Sequence, residues 1–98
     1  MAKGYWVAHV TVKDPEKYKL YIAANAAPLQ KYGGKFLVRG GAAEMRRGNL
    51  RPRHVVVEFE SLAVARACYD SPEYQVAAKL RDEAADVDIA IVEGYESG

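Results

Sequence analysis

At 98 residues, with 14 Lys and Arg against 13 Asp and Glu and a formal net charge of +1, the chain fits one domain that can build a core without disulfides or a structural metal. Half of its residues are hydrophobic and charges of both signs are interspersed, which excludes a disordered chain and argues against a nucleic-acid partner, since a phosphate backbone calls for a basic excess. No apolar run approaches the roughly 20 residues that span a bilayer and no charged-then-apolar leader follows Met1, so a cytoplasmic protein with no membrane partner is expected.

Residues 5–12 (YWVAHVTV) alternate and are rich in β-branched and aromatic side chains, the pattern of a strand. Trp6, Ala8, Val10 and Val12 form its apolar side and Tyr5, Val7, His9 and Thr11 the other. Asp14 then caps a helix opened by Pro15, in which Tyr18, Tyr21, Ile22, Asn25, Leu29 and Tyr32 recur at helical spacing until Gly33 stops it. Pro28 lacks an N–H and is expected to kink this helix or split off its last turn. A second strand spans 34–41, with a glycine bulge and a continuation through Glu44 and Met45 to a turn around Gly48 and Asn49. The third covers 53–59, Val55, Val57 and Phe59 on one side and His54, Val56 and Glu58 on the other. Ser61 caps a short helix over 62–69, Ser71 and Pro72 open another that runs through Tyr74, Ala77, Leu80 and Arg81 to about Ala84, and 87–92 (VDIAIV) form the last strand.

This order makes two split βαβ units: an α+β, ferredoxin-like βαββαβ sandwich over residues 1–98, with an antiparallel four-stranded sheet and helices on one face. Right-handed crossovers are taken to set the first and third strands side by side and parallel at its centre. The helix-free face carries Val7, Leu37 and Val56, and an apolar face of that kind calls for a partner. The partner expected is a second copy of the chain, packed sheet to sheet as a homodimer.

The segments YWVAHVTVKDPEKYKLY, KYGGKFLVRGG, VVVEFESLAVARACYDSPEYQ and IVEGYE resemble, in order and spacing, the bacterial domain-of-unknown-function family 1330. The most specific pieces are the YGG(K/R)xLxRGG strand at 32–41 and the EFxSxxxAxxxYxSPEY block at 58–74. The resemblance implies a dimeric α+β barrel, a group similar in fold to small monooxygenases, muconolactone isomerase-like proteins and chlorite dismutase-like proteins. It implies no particular reaction. Cys68, beside Tyr69, stands where the family pattern leads one to expect a bulky aromatic, which would loosen the helix packing there.

Two clusters are candidate sites. Arg39, Glu58 and His9 are expected together on the helix-free face, where Arg39 would hold an anionic group and His9, with a reference pKa of about 6.5, would act as base. The preferred reading of the same trio is a structural ion-pair cluster at the dimer seam, since a buried charge requires pairing. Trp6, Tyr18, Tyr69 and Tyr74 are expected to wall a pocket between helices and sheet for a small apolar or aromatic molecule, which calls for a cavity of roughly a few hundred Å³. The alternative is ordinary aromatic packing with hydroxyls reaching the surface. No cofactor is expected. Parallel pairing would hold His54 roughly 13 Å from His9, too far for a shared metal. The glycine pairs fit no phosphate-binding pattern, and Cys68, among apolar helix residues, reads as a buried inert thiol. Two functions follow: a binding module for a small anionic or aromatic ligand, or a cofactor-independent monooxygenase-like or isomerase-like enzyme using Arg39 and His9.

Overall fold

The computed structural model describes residues 2–96 and contains β1 (Gly4–Val12), α1 (Pro15–Lys31), β2 (Lys35–Arg39), β3 (Arg53–Phe59), α2 (Leu62–Asp70), α3 (Pro72–Ala84) and β4 (Ala85–Glu93). Each helix starts where a short polar side chain closes its first turn. Lys17 N–H donates to Asp14 Oδ1 at 3.2 Å, Val64 N–H to Ser61 Oγ at 3.2 Å and Tyr74 N–H to Ser71 Oγ at 3.2 Å. The stop at Gly33 rests on a left-handed φ of 72°, which a residue without Cβ adopts freely. Pro28 does not split off the last turn, since α1 continues through it to Lys31.

The strands form one sheet in the order β2-β3-β1-β4, and every neighbouring pair is antiparallel. The ferredoxin-like arrangement is therefore present, but the parallel central pair is not. Each crossover helix carries the chain past one strand position, so the strands it joins are next-nearest neighbours and the strand between them runs the other way. Antiparallel pairing sets Tyr5 opposite Glu58 and His9 opposite His54.

A second difference lies at the edge. Phe36 pairs with Val57, but Val38 pairs with Val56, so Leu37 is an extra residue in β2. Such a bulge reverses the alternation beyond it. Arg39 consequently stands opposite Val55, on the helix-covered side of the sheet. The strand ends there, and residues 40–52 follow as an irregular segment, exposed except at Arg51, rather than a continued hairpin.

The core lies between the helices and the side of the sheet that carries Trp6, Val10, Val57 and Phe59, with Leu29 and Tyr74 packed down from α1 and α3. Trp6 is its hub: its ring meets Phe59, Tyr69 and Tyr74 at centroid distances of 5.1, 5.6 and 4.8 Å, and its indole N–H donates to Ala65 O at 2.9 Å. Cys68 is fully buried, as expected of an inert thiol, and burial pushes it up to about 12. Among the described residues no helix is long and apolar enough to cross a membrane.

Candidate functional site

The helix-free face does not assemble the expected trio. Glu58 accepts a hydrogen bond from the Tyr5 hydroxyl at 3.0 Å, and that bond raises the phenol's pKa. His9 pairs instead with His54, their Nδ1 atoms 2.9 Å apart and their rings edge to face. One ring nitrogen must donate and the other accept, which consumes the pair's hydrogen-bonding capacity toward each other. The expected 13 Å separation of the two histidines is thus replaced by direct contact, because the strands run antiparallel. Among the described residues, no three His, Cys, Asp or Glu side chains come together in a way that would hold a metal ion. Arg39 is absent from this face.

The other side of the sheet brings Arg39 to the aromatic cluster. A cleft between α1, α3 and the sheet is lined by Trp6, Tyr18 and Tyr74, with Tyr21, Phe36 and Leu29. Tyr69 is not in the lining; it packs edge-on behind Trp6. Counting the mouth open to solvent, the empty space is about 520 Å³, but only about 30 Å³ admits the centre of a water molecule. The enclosed part is therefore room for about one or two waters and not a chamber of a few hundred Å³. At the exposed edge of the cleft Arg39 lies over the Phe36 ring at 3.9 Å.

Polar groups give this cleft its character. Three guanidinium groups, from Arg39, Arg53 and Arg81, line it, and no carboxylate does. Arg81 is satisfied: it donates to the Tyr74 hydroxyl at 3.2 Å, the Tyr69 hydroxyl at 3.4 Å and Asp82 Oδ1 at 3.1 Å. The Tyr74 hydroxyl also shares a 2.6 Å hydrogen bond with Tyr21, so these two hydroxyls are tied together inside rather than reaching the surface. Burial, joined by the Tyr21 hydroxyl, raises the Tyr74 phenol well above its ordinary range and keeps it neutral.

Arg53 and Asn25 differ. Arg53 Nε and Asn25 Oδ1 are buried and have no hydrogen-bond partner among the described residues. Asn25 is 4% exposed. An unpaired buried polar group costs about 1–3 kcal/mol, and both residues line this one cleft. Burial raises the Tyr18 phenol and the Arg53 charge beside it partly offsets the rise. Gly40, at φ 68°, makes room for Arg53, because a Cβ there would collide with the guanidinium.

Sequence reasoning missed Arg53, Asn25 and Arg81 as members of this site. Their signal was present: Arg53 shares the alternation of Val55, Val57 and Phe59, and Asn25 and Arg81 fall on the buried stripes of their helices.

No curated protein sequence matches this chain. Among solved structures, a protein of unknown function from Rhodopseudomonas palustris, RPA0582, is 19% identical with a TM-score of 0.76, over 98% of this chain and 85% of that one. SnoaB, a cofactor-independent oxygenase from Streptomyces nogalater, is 15% identical with a TM-score of 0.67, over 99% and 97%. A dimeric ferredoxin-like protein of unknown function from Thermobifida fusca is 18% identical with a TM-score of 0.54, over 94% and 89%. At such identities the likeness establishes the fold alone. The family model described as domain of unknown function DUF1330 matches residues 3–95, and the chain belongs to that family.

Proposed function

We propose that this protein binds a small anionic molecule with an apolar or aromatic body in the cleft between α1, α3 and the sheet. The observation that carries this reading is the unpartnered, buried Arg53 Nε in a cleft lined by three guanidinium groups and no carboxylate. A guanidinium in apolar surroundings is matched by a carboxylate or a similar anion. Arg39 at the mouth adds positive charge where a ligand enters. Trp6, Tyr18 and Tyr74 supply the aromatic wall. Glu58 and His9 belong to the opposite face, where they support the companion proposal: self-association through the helix-free face, on which Val7 and Val56 form a cross-strand pair. The dimeric description of the Thermobifida relative favours that assembly. A reducing, cytoplasmic setting suits the free thiol of Cys68.

The enzyme alternative needs one substrate held by Arg39 and deprotonated by His9, yet the two side chains stand on opposite sides of the sheet. Within the cleft lining there is no imidazole or carboxylate to act as base. The binding reading is therefore preferred. Trp6 is the single tryptophan and lines the cleft, so its fluorescence reports occupancy. Benzoate is expected to produce a saturable change that weakens at least tenfold in Arg53→Gln and is unaltered in His9→Gln. No saturable change in the wild type, or equal weakening in both variants, contradicts the proposal.

A further inference from the structure

Resting on the binding reading above, we infer that the ligand class is a hydroxylated aromatic acid: its carboxylate meets Arg53 and its hydroxyl meets Asn25. Arg53 Nε, a donor, and Asn25 Oδ1, an acceptor, are the two buried side-chain atoms without a partner among the described residues, and both residues line the same cleft. One arrives from β3 below and the other from α1 above. A simple carboxylate would satisfy Arg53 and leave Asn25 unpaired, while a phenol would do the reverse. A ligand with both groups relieves both penalties at once. A hydroxyl both donates and accepts, so it suits Asn25 in either orientation of its amide. The body between the two groups faces Trp6, Tyr18, Phe36 and Leu29, flat and apolar surfaces that favour a planar ring.

The Tyr18 hydroxyl interacts with the Arg53 guanidinium but leaves Nε without a partner among the described residues, and the other nearby polar groups are engaged elsewhere. Arg81 is occupied by Tyr74, Tyr69 and Asp82, and the Tyr21 and Tyr74 hydroxyls by each other. The enclosed space, room for about one or two waters, is smaller than such a ligand, so binding requires the exposed edge at Arg39 and Phe36 to open and admit the ring. Specificity of this kind is steep, because a site built around a hydroxyl leaves its own group unpaired when the hydroxyl is missing.

The test is calorimetric titration of the wild-type protein with phenol, benzoate and the 2-, 3- and 4-hydroxybenzoates, the three isomers sampling the span between Asn25 and Arg53. At least one isomer is expected to bind ten times or more tightly than benzoate or phenol. Asn25→Leu is expected to bring that isomer down to the affinity of benzoate, and Arg53→Gln to bring it down to that of phenol. If benzoate binds but no hydroxybenzoate improves on it, the inference falls while the binding reading stands; Asn25 is then satisfied by a trapped water. If none of the five compounds binds, the binding reading falls with it. Should either variant fail to fold, the wild-type series alone decides.

Discussion

Gly40→Ala separates a binding role for Arg53 from a purely structural one. At φ 68°, an alanine adopts a left-handed conformation that costs roughly 1–2 kcal/mol. For a domain of this size that lowers the melting temperature by about 4–8 °C per kcal/mol. The new Cβ also collides with the Arg53 guanidinium, the mobile end of a long side chain, so Arg53 swings aside and the backbone stays. A charge-assisted hydrogen bond to a ligand, worth about 1.5–3 kcal/mol, is then lost, or roughly 10- to 100-fold in affinity. Gly33→Ala is the matched control. Gly33 has φ 72° and nothing within 4 Å of its added Cβ, so it carries the same backbone cost with no effect on Arg53. Thermal unfolding and calorimetric titration with benzoate are measured on both. The expected result is similar destabilisation of the two, with binding lost in Gly40→Ala alone. Equal binding by both variants would refute the role given to Arg53.

Three further outcomes follow from the packing. Tyr74→Phe removes the hydroxyl that accepts from buried Arg81 and pairs with Tyr21, and it is expected to cost about 1–3 kcal/mol in urea unfolding. Tyr69→Phe, which loses only a 3.4 Å contact from a half-buried position, should cost less, and the reverse ranking contradicts the network. Stability should fall as pH rises above about 9. The Cys68 thiol, ordinarily near 9.0, is pushed up to about 12, so between these values the native chain keeps a proton that the unfolded chain releases. The slope approaches about 1.4 kcal/mol per pH unit, joined above pH 10 by Tyr74, and Cys68→Ala should remove the earlier part. On the proposed self-association, Val56→Glu, which puts a charge on the helix-free face, is expected to turn a dimeric wild type into a folded monomer by size exclusion with light scattering; a wild type that is already monomeric, or a variant that stays dimeric, contradicts that interface.

Most of the fold was legible because capping residues, glycine stops and alternation act locally. Asp14, Ser61 and Ser71 each cap the helix that the sequence predicts for them. What failed was non-local. The direction of β3 against β1 depends on which strand the crossovers skip, and that one error misplaced His9 relative to both Glu58 and His54. Arg39 was misplaced by a single inserted residue: three positions on from core-facing Phe36, unbroken alternation puts it on the helix-free face, and the bulge at Leu37 returns it to the other. Nothing in the residue types around Leu37 marks the bulge. The site itself was half visible. Aromatic residues announced Trp6, Tyr18 and Tyr74, whereas Asn25 and Arg53 acquire meaning only when two elements far apart in sequence line one cleft and leave a polar atom of each unpaired among the described residues.

The central claim is that the ligand site lies between the helices and the sheet and not on the helix-free face. NMR shift mapping of the wild-type protein with saturating hydroxybenzoate tests it most directly. The account predicts that the largest changes fall on the Trp6 indole N–H, the Asn25 side-chain amide and Arg53 Nε–H, while the His9 and His54 ring signals stay in place. Changes centred on His9, His54 and Glu58 with the Trp6 indole unmoved would contradict it.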